Sequence, residues 1–425
     1  MEIEKKKIAI IGSGIAGMGC AYFLHKDFDI TVFEKADYVG GHTNTFYTRE
    51  GEKQIPVDTG FIVCNNENYP LLMKLFNRLD VPLKKTKMSF AAQIVHDKIE
   101  YCGSSLKLLF AQRKNIFSLR FIRFLYQLNQ FNKECLEVPG NEKFHDLSVR
   151  AYVRKKKWND DLLNWYLLPM SSALWSTPPE TSARFPILAL VRFFNNHGFL
   201  GLNTQFQWYT VDGGSEEYKK RLIAPFRHKI KTSAKVVAVQ RNENGVSVQT
   251  ADGQDYRFDK VIMASHADET LSMLKDADAN ETEILSRFTY EKNTATLHTD
   301  ESVMPALKKV WSSWNYRIEK TEKGLVSSCN YWMNSLQNVS EEKNYFVTIN
   351  DPGLISKEKI ITRIIYEHPI FTVEAMKMQN RLPALNENNQ LYFCGSYFRY
   401  GFHEDAFRSA VDVCERILGR DVWSN

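Results

Sequence analysis

The most constraining feature of this chain is a glycine-rich turn between two short apolar strands near its start. Lys7–Ile11 predicts a buried strand, since its apolar residues are mostly β-branched and do not alternate with polar ones. The turn Gly12–Gly17 has the spacing Gly-x-Gly-x-x-Gly, and Met18–His25 predicts a helix after it. A second strand over Asp29–Phe33 then ends at Glu34. This order of elements predicts a βαβ unit that binds a dinucleotide.

Each part of the unit has a physical role. Gly12 permits the tight turn, Gly14 lets the backbone approach a pyrophosphate, and Gly17 lets the helix pack closely on the strand. The N-terminus of the helix presents free N–H groups to the phosphates, and Glu34 can accept hydrogen bonds from the adenosine ribose. The acid favours an unphosphorylated ribose. The predicted contacts are Gly12, Ser13, Gly14, Ile15, Ala16, Gly17, Glu34 and Lys35.

Composition excludes several other classes of protein. The 425 residues allow two or three domains, and a net charge of +5 is too small to indicate nucleic-acid binding. Seven cysteines, an odd number without a Cys-x-x-Cys pair, predict a reduced, cytoplasmic protein without disulfides or zinc. The uncharged run Ile8–Leu24 superficially resembles a signal peptide, but its glycine spacing favours the dinucleotide turn. We expect no membrane span.

The residues after the second strand carry a family resemblance. Val39–Asn44 reads Val-Gly-Gly-His-Thr-Asn. It resembles the Gly-Gly-Arg element of the flavin amine oxidase superfamily, which includes monoamine and polyamine oxidases, protoporphyrinogen oxidase and phytoene desaturases. In that superfamily the element lines the diphosphate of FAD, and His42 stands here where the arginine is expected. The resemblance implies bound FAD and contacts from Gly40, Gly41, His42 and Thr43.

The C-terminal segment is similar to the same superfamily. Gln390–Cys394 predicts a strand that ends at Gly395, and a helix follows from about Glu404 to Leu418. The positive end of that helix would face the flavin edge where negative charge collects on reduction. Ser396 replaces the usual acid after the glycine. The resemblance implies cofactor contacts from Gly395, Ser396, His403, Glu404, Asp405 and Ala406.

The remaining segments complete the predicted architecture. The strand at Val236–Val239 has a superfamily counterpart that offers backbone to the adenine, which implicates Val236 or Val237. The predicted fold class is α/β, a Rossmann-like FAD-binding domain of the amine oxidase type with an inserted α+β substrate domain. The FAD domain comprises residues 1–75, 206–275 and 385–425, and the substrate domain comprises 76–205 and 276–384, which we expect to be helical, aromatic and basic. With one glycine-rich turn only, we expect electrons to come from the substrate rather than from bound NAD(P)H.

Six strings resemble a narrower group, the bacterial FAD-binding oxidoreductases related to the N-terminal half of plant cyclopropane fatty acid synthases. They are Leu174–Pro178, Asn196–Leu200, Leu297–Asp300, Trp311–Asn315, Asn330–Asn334 and Gly401–Asp405. This resemblance implies a small-molecule or lipid substrate, in particular a fatty-acyl chain, and a lipid methyltransferase as partner. The basic, apolar segment Ser105–Leu136 indicates either solvated helices or a surface that contacts the membrane inner face peripherally.

Candidates for proton transfer are His403, Tyr397 and His197, and more weakly His298 and His368. Lys292 is the nearest match to the lysine that amine oxidases place by the flavin, and no cysteine near Tyr397 matches the covalent attachment site of monoamine oxidases. The resemblance therefore implies non-covalent FAD. Three functions stay open: oxidation, desaturation or isomerisation of an apolar substrate, oxidation of a hydrophobic amine, or a flavin-bearing partner of a lipid methyltransferase.

Overall fold

The structure is a computed structural model, and it describes residues 5–175, 177–196, 198–200, 206–322, 324–387 and 389–424. The strands are β1 (Lys7–Ile11), β2 (Asp29–Phe33), β3 (Thr45–Glu50), β4 (Lys53–Asp58), β5 (Leu83–Thr86), β6 (Phe90–Ile94), β7 (Ile99–Cys102), β8 (Trp208–Val211), β9 (Ile230–Lys231), β10 (Val236–Asn242), β11 (Gly245–Thr250), β12 (Asp255–Phe258), β13 (Lys260–Met263), β14 (Thr289–His298), β15 (Trp314–Thr321), β16 (Gly324–Trp332), β17 (Phe346–Ile349), β18 (Ile360–Ile370) and β19 (Leu391–Phe393).

The helices pack on both sides of these strands. They are α1 (Ile15–Leu24), α2 (Pro70–Arg78), α3 (Leu106–Leu109), α4 (Leu119–Glu134), α5 (Val149–Lys155), α6 (Asp160–Leu162), α7 (Leu168–Trp175), α8 (Pro179–Ser182), α9 (Ile187–Asn196), α10 (Glu216–Ile223), α11 (Ala267–Met273), α12 (Ala279–Leu285), α13 (Met333–Gln337), α14 (Val373–Gln379) and α15 (His403–Leu418). None of the helices in the described part of the chain is long and apolar enough to cross a membrane.

A five-stranded parallel sheet forms the first layer, in the order β19-β13-β1-β2-β9. It joins strands from the start, middle and end of the chain, as the three-part FAD domain of the sequence analysis requires. The apolar side chains of β1 are buried on both faces, because helices such as α1 and α15 cover one side of the sheet and the antiparallel sheet β10-β11-β12, with α11 and α12, covers the other. The carboxyl ends of β1, β2, β13 and β19 meet at one edge, where open parallel sheets bind ligands.

Helix α1 begins at Ile15, three residues before the predicted start, because Gly14 with extended backbone caps it. A Cβ on Gly17 would lie 1.9 Å from the carbonyl oxygen of Gly12. Only glycine therefore lets the helix pack this closely on the end of β1, as the motif predicts. On its other side α1 packs against α15, where Gly19 contacts the ring of Phe407.

A seven-stranded mixed sheet dominates the second half of the chain, in the order β18-β14-β17-β16-β15-β6-β7. The expectation that residues 276–384 are helical is therefore wrong for most of their length. The ten-residue strand β14 pairs antiparallel with β18 over its whole length and also with β17. Threonine, tyrosine and β-branched residues are frequent in these segments, and they suit a pleated surface packed against neighbours.

Helices α4 to α9 cover the β6–β7–β15 end of this sheet and bury most of the aromatic side chains predicted for residues 76–205. Helices α6 and α7 are continuous through a π turn at Leu163–Leu167. The helices expected within Ser105–Leu136 are the short α3 and the long α4, with a 3₁₀ turn at Arg113–Phe117 between them. Ser118 ends that turn and caps α4 through its hydroxyl oxygen.

Candidate active site

A cavity of about 940 Å³ opens at the carboxyl edge of the parallel sheet and runs to the aromatic helices. Four of its lining residues lie just after the ends of parallel strands. Gly12, Glu34 and Ala264 directly follow β1, β2 and β13, and Gly395 lies two positions after the end of β19. The sequence therefore brings its two ends and its middle to one site.

The carboxylate of Glu34 is held in place by hydrogen bonds. One oxygen accepts from the backbone N–H and the hydroxyl of Ser13, at 2.9 and 2.6 Å. The other accepts from the N–H of Ala36 at 2.9 Å. The side chain is 8% exposed and faces the cavity, so it can also accept hydrogen bonds from ribose hydroxyls, as predicted.

The glycine turn leaves space where a diphosphate would lie. Gly12 has φ +105°, and a Cβ there would lie 2.6 Å from the carbonyl oxygen of Ala264. By contrast, a Cβ on Gly14 would have no neighbour within 4 Å, because its open side faces the cavity. The first turn of α1 contains no acid, and Ile15 and Ala16 line the cavity. The free N–H groups at the start of α1 and the open space beside Gly14 can together accommodate an anionic group such as a diphosphate.

His42 occupies the position of the expected arginine and lines the cavity. Its ring stacks on Tyr366 with centroids 4.7 Å apart and lies 5.0 Å from His368. Burial first, and then the neighbouring histidine, hold the pKa of His42 well below its usual range. The imidazole is therefore neutral, and its buried Nε2 has no hydrogen-bond partner within the described residues. A polar ligand atom in the cavity would satisfy it.

Val236 and Val237 line the cavity at the start of β10, next to the turn that holds Glu34. The ladder between β10 and β11 shifts register between Val236 and Ala238, so Val237 is the extra residue of a bulge. Lys35 also lines the cavity and forms a salt bridge with Glu269. This part of the cavity is where the sequence predicts that the adenine of the cofactor lies.

Helix α15 begins at the cavity, with His403 and Ala406 among the lining residues. Nε2 of His403 lies 2.7 Å from the hydroxyl of Tyr218 and 3.2 Å from that of Thr43. Its ring stacks on Phe61 at 4.1 Å. Burial lowers the pKa of His403 to about 3, so this ring is neutral at physiological pH.

Two predicted cofactor contacts need correction, because the carboxylates of Glu404 and Asp405 cap helices. Glu404 accepts from the N–H groups of Leu71 and Leu72 at the start of α2. Asp405 accepts from the N–H groups of Tyr400 and Phe402. As residues of the first turn of α15, they point to its flanks, and neither lines the cavity.

Three other predicted contacts lie behind the cavity wall. Gly17 packs on the β1 turn, and a Cβ on Gly40 would lie 2.5 Å from the carbonyl oxygen of Thr43. The hydroxyl of Thr43 is hydrogen-bonded to Tyr218 and His403. Gly40 and Thr43 flank Gly41 and His42 in the chain, and these two residues do line the cavity.

Of the other predicted site residues, some line the cavity and others lie away from it. Gly395 and Ser396 line the cavity. Tyr397 reaches it too, but is 1% exposed, packs beneath Gly395, and has its pKa raised well above the usual value by burial. His197 lies outside the described residues. His298 is fully buried in the mixed sheet, where it contacts Thr348.

His368 and Lys292 both line the cavity. Burial lowers the pKa of His368 to about 4, and its Nδ1 lies 2.9 Å from the amide nitrogen of Asn293. The side chain of Lys292 is 76% exposed and lies 3.9 Å from Glu367.

The far end of the cavity is an apolar wall, which the sequence did not locate because it is assembled from separated segments. Aromatic density between Trp158 and Tyr209 was the only signal. The apolar wall consists of Ile62, Val63, Met88, Leu174, Trp175, Phe193, Phe199, Trp208, Trp314, Tyr331, Ile349, Ile365, Phe371, Tyr400 and Phe402.

Together these features fit FAD. Glu34 would hold the ribose, the start of α1 and His42 would hold the diphosphate, and the start of α15 would face the isoalloxazine ring. None of the seven cysteines, all of which the structure describes as buried and unpaired, lines the cavity. The described part of the cavity therefore offers no thiol for covalent attachment of a flavin.

Comparison with known proteins agrees with this geometry. Residues 15–364 match the family model described as flavin containing amine oxidoreductase. No curated protein sequence matches the chain significantly. Among solved structures, the chain is similar to a CLA-producing fatty acid isomerase from P. acnes, with 15% identity, a TM-score of 0.67, and coverage of 97% of this chain and 98% of that one.

Two amine oxidases have the same fold. Cyclohexylamine oxidase from Brevibacterium oxydans has 14% identity and a TM-score of 0.68, with coverage of 98% of this chain and 100% of that one. A putrescine oxidase bound to putrescine has 13% identity and a TM-score of 0.68, with coverage of 98% and 99%. The chain therefore belongs to the family of flavin-containing amine oxidoreductases, and its cofactor is FAD.

Proposed function

We propose that this flavoenzyme oxidises, desaturates or isomerises an apolar substrate, and that the substrate is a fatty-acyl chain. The observation that carries the proposal is the apolar wall, which continues the cofactor cavity without a break. Ligand sites of this kind bind mainly by burying apolar surface, with a few polar groups that fix orientation.

The wall is formed by close aromatic packing. The ring of Phe193 is stacked near Phe402 with centroids 5.1 Å apart, and lies 5.8 Å from Trp175. A flexible hydrocarbon chain can lie along such rings and exclude water from the reacting carbon. This surface gives a long alkyl chain more contact than a short polar molecule.

Two carboxylates of the cavity already have close polar partners. Glu34 accepts from Ser13 and Ala36, and Glu269 is bridged by Lys35. Glu367 lies 3.5 Å from His266, whose pKa is lowered by burial, and 3.9 Å from the exposed Lys292. Glu34 and Glu269 are thus engaged with neighbours, which favours a neutral substrate over a cation at these two positions.

When bound, FAD supplies an acceptor for a hydride or an electron pair. The protein residues position the substrate at that acceptor. The unpartnered Nε2 of neutral His42 would contact the cofactor diphosphate, and the aromatic wall would hold the acyl chain beside the flavin. The fatty acid isomerase from P. acnes, which has the same fold, supports an acyl substrate.

Anaerobic mixing of the purified holoenzyme with unsaturated fatty acids, phospholipids and amines tests the proposal. We expect an acyl lipid to bleach the visible flavin band, or to be recovered as a positional isomer. Mass spectrometry then separates loss of two hydrogens from isomerisation. If no acyl lipid of any class is changed or bleaches the flavin, the proposal is wrong.

A second candidate is oxidation of a hydrophobic amine, which the family match and the two amine oxidase structures favour. It requires that the apolar wall bind the carbon skeleton of the amine in its uncharged form. Release of hydrogen peroxide from amines in air, with no change to any acyl lipid, would select this function over the first.

A further inference from the structure

Exposed apolar side chains are concentrated in one short segment of the chain, from α3 to the first half of α4. Of the twelve large apolar side chains exposed in the described residues, six lie between positions 106 and 126. We call these six the apolar tip: Leu106, Ile116, Phe117, Leu119, Ile122 and Tyr126. Phe117 is 87% exposed and Leu119 is 83% exposed, so water surrounds both almost completely.

The first half of helix α4 is apolar on both of its sides. Phe121, Phe124 and Phe131 are buried against the core, which is the usual apolar stripe of a surface helix. The opposite side carries Leu119 and Ile122, spaced three residues apart, together with Tyr126. A helix that is apolar on both sides is expected to be covered on both.

The charge of the segment points to what covers it. Residues 103–133 contain six basic residues and no acidic one. Lys107, Arg113 and Lys114 are exposed beside the apolar tip. Arg120 is instead held by salt bridges to Asp97 and Asp161. Apolar side chains bordered by unbalanced positive charge match the surface of an anionic bilayer.

We propose that the apolar tip docks this protein on an anionic lipid membrane, with Phe117 and Leu119 inserted below the headgroups and Lys107, Arg113 and Lys114 against the phosphates. Single side chains that project this far suit a deformable lipid surface better than a preformed protein groove. The proposal rests on the exposed residues and charges alone, and it does not depend on which substrate the flavin oxidises.

Co-sedimentation of the holoenzyme with vesicles tests the proposal. We expect binding to vesicles of phosphatidylcholine mixed with phosphatidylglycerol, and much weaker binding to phosphatidylcholine alone. Phe117→Ser combined with Leu119→Ser should weaken binding at least about tenfold, since both side chains are exposed and their loss leaves the core intact. The matched control is Leu325→Ser with Leu354→Ser, two exposed leucines outside the segment.

Two double charge reversals measure the electrostatic contribution to membrane binding. Arg113→Glu with Lys114→Glu should weaken binding to anionic vesicles by a factor that shrinks as salt is added. Lys53→Glu with Lys357→Glu makes the same charge change at exposed positions elsewhere and should bind more tightly than the first pair. Equal loss in both pairs would show a general effect of net charge and would contradict docking through this segment.

Insertion of the apolar tip into the bilayer can be measured with a dye on one introduced cysteine, because all seven native cysteines are buried. Phe117→Cys labelled with a polarity-sensitive dye should shift its emission to the blue on addition of anionic vesicles, whereas a dye on Leu354→Cys should not. The proposal is overturned if the dye at position 117 does not respond. It is also overturned if the wild type ignores anionic vesicles, or if it instead forms a dimer that the two serine substitutions at positions 117 and 119 abolish.

Discussion

The Nε2 atom of His403 lies 2.7 Å from the hydroxyl of Tyr218, at the point where α15 begins in the cavity. Burial lowers the pKa of His403 to about 3, so its ring stays neutral from pH 5 to 8. We therefore expect His403→Asn to retain every apparent pKa of the pH profile for flavin reduction by substrate, with a change in absolute rate only.

Stopped-flow measurement of that profile in wild type and variant checks this. Tyr218→Phe serves as a companion variant, since it removes the same hydrogen bond from the other side. Loss of a titration between pH 5 and 8 in the His403 variant alone would show that the ring carries a proton during turnover.

His403 lines the cavity, and its place near the start of α15 could be predicted from the sequence, whereas the side-chain directions of the next two residues could not. The glycine turn, Glu34 and the start of α15 could be predicted because their spacing is fixed by the dinucleotide fold. Glu404 and Asp405 were misassigned because the side-chain directions in the first turn of α15 depend on where the helix begins. The donors to Glu404, Leu71 and Leu72, are also distant in sequence.

Removing the carboxylate of Glu34 should weaken FAD binding. We expect Glu34→Ala to raise the Kd of FAD by about tenfold to a hundredfold, because a charged hydrogen bond is worth roughly 1.5–3 kcal/mol. Glu34→Gln should lose less, since it keeps an acceptor for the N–H of Ser13. Fluorescence titration of the apoprotein with FAD measures both, with the exposed Glu52→Ala as control. Unchanged affinity in the alanine variant would place the ribose elsewhere.

His298 should make stability depend on pH. Burial lowers its pKa to about 4, and its Nδ1 accepts the N–H of Asp300. Because the folded pKa lies below that of the unfolded chain, about 6.5, stability is fully present above pH 6.5 and is lost as pH falls towards 4. Protonation of the buried ring would therefore cost the folded state about 3 kcal/mol more than it costs the unfolded chain.

Urea unfolding at pH 7 and pH 4 tests this contribution. His298→Asn should show a difference in unfolding free energy between the two pH values that is smaller than in wild type by about 3 kcal/mol. The exposed His228→Asn should show the wild-type difference. A variant of His298 with unchanged pH dependence would contradict the neutral, buried imidazole.

Ile365 offers a test of the apolar wall without damage to the core, because it lines the cavity yet is 66% exposed. Ile365→Glu should lower kcat/KM for an apolar substrate by about tenfold or more, since a charge would replace apolar contact along the chain. FAD content should not change. Leu354→Glu adds the same charge at an exposed leucine outside the cavity and should leave kcat/KM as in wild type.

The substrate half of the fold was harder to predict than the cofactor half. Strand β14 contains polar residues that are buried in the mixed sheet, such as Asn293 and Thr296, and this obscures its alternation. The apolar wall draws on residues as distant as Ile62 and Phe402, so its existence follows from tertiary packing and not from any local pattern. Aromatic content indicated only that a large apolar site was feasible.

The central claim is that one continuous cavity holds FAD at its polar end and an acyl chain at its apolar end. Anaerobic titration of the yellow holoenzyme with an unsaturated fatty-acyl lipid, followed in the visible flavin band and by mass spectrometry of the recovered lipid, tests it most directly. The account predicts saturable bleaching or isomerisation of the lipid, both weakened by Ile365→Glu. A flavin that only amines reduce, with every acyl lipid recovered unchanged, would contradict it.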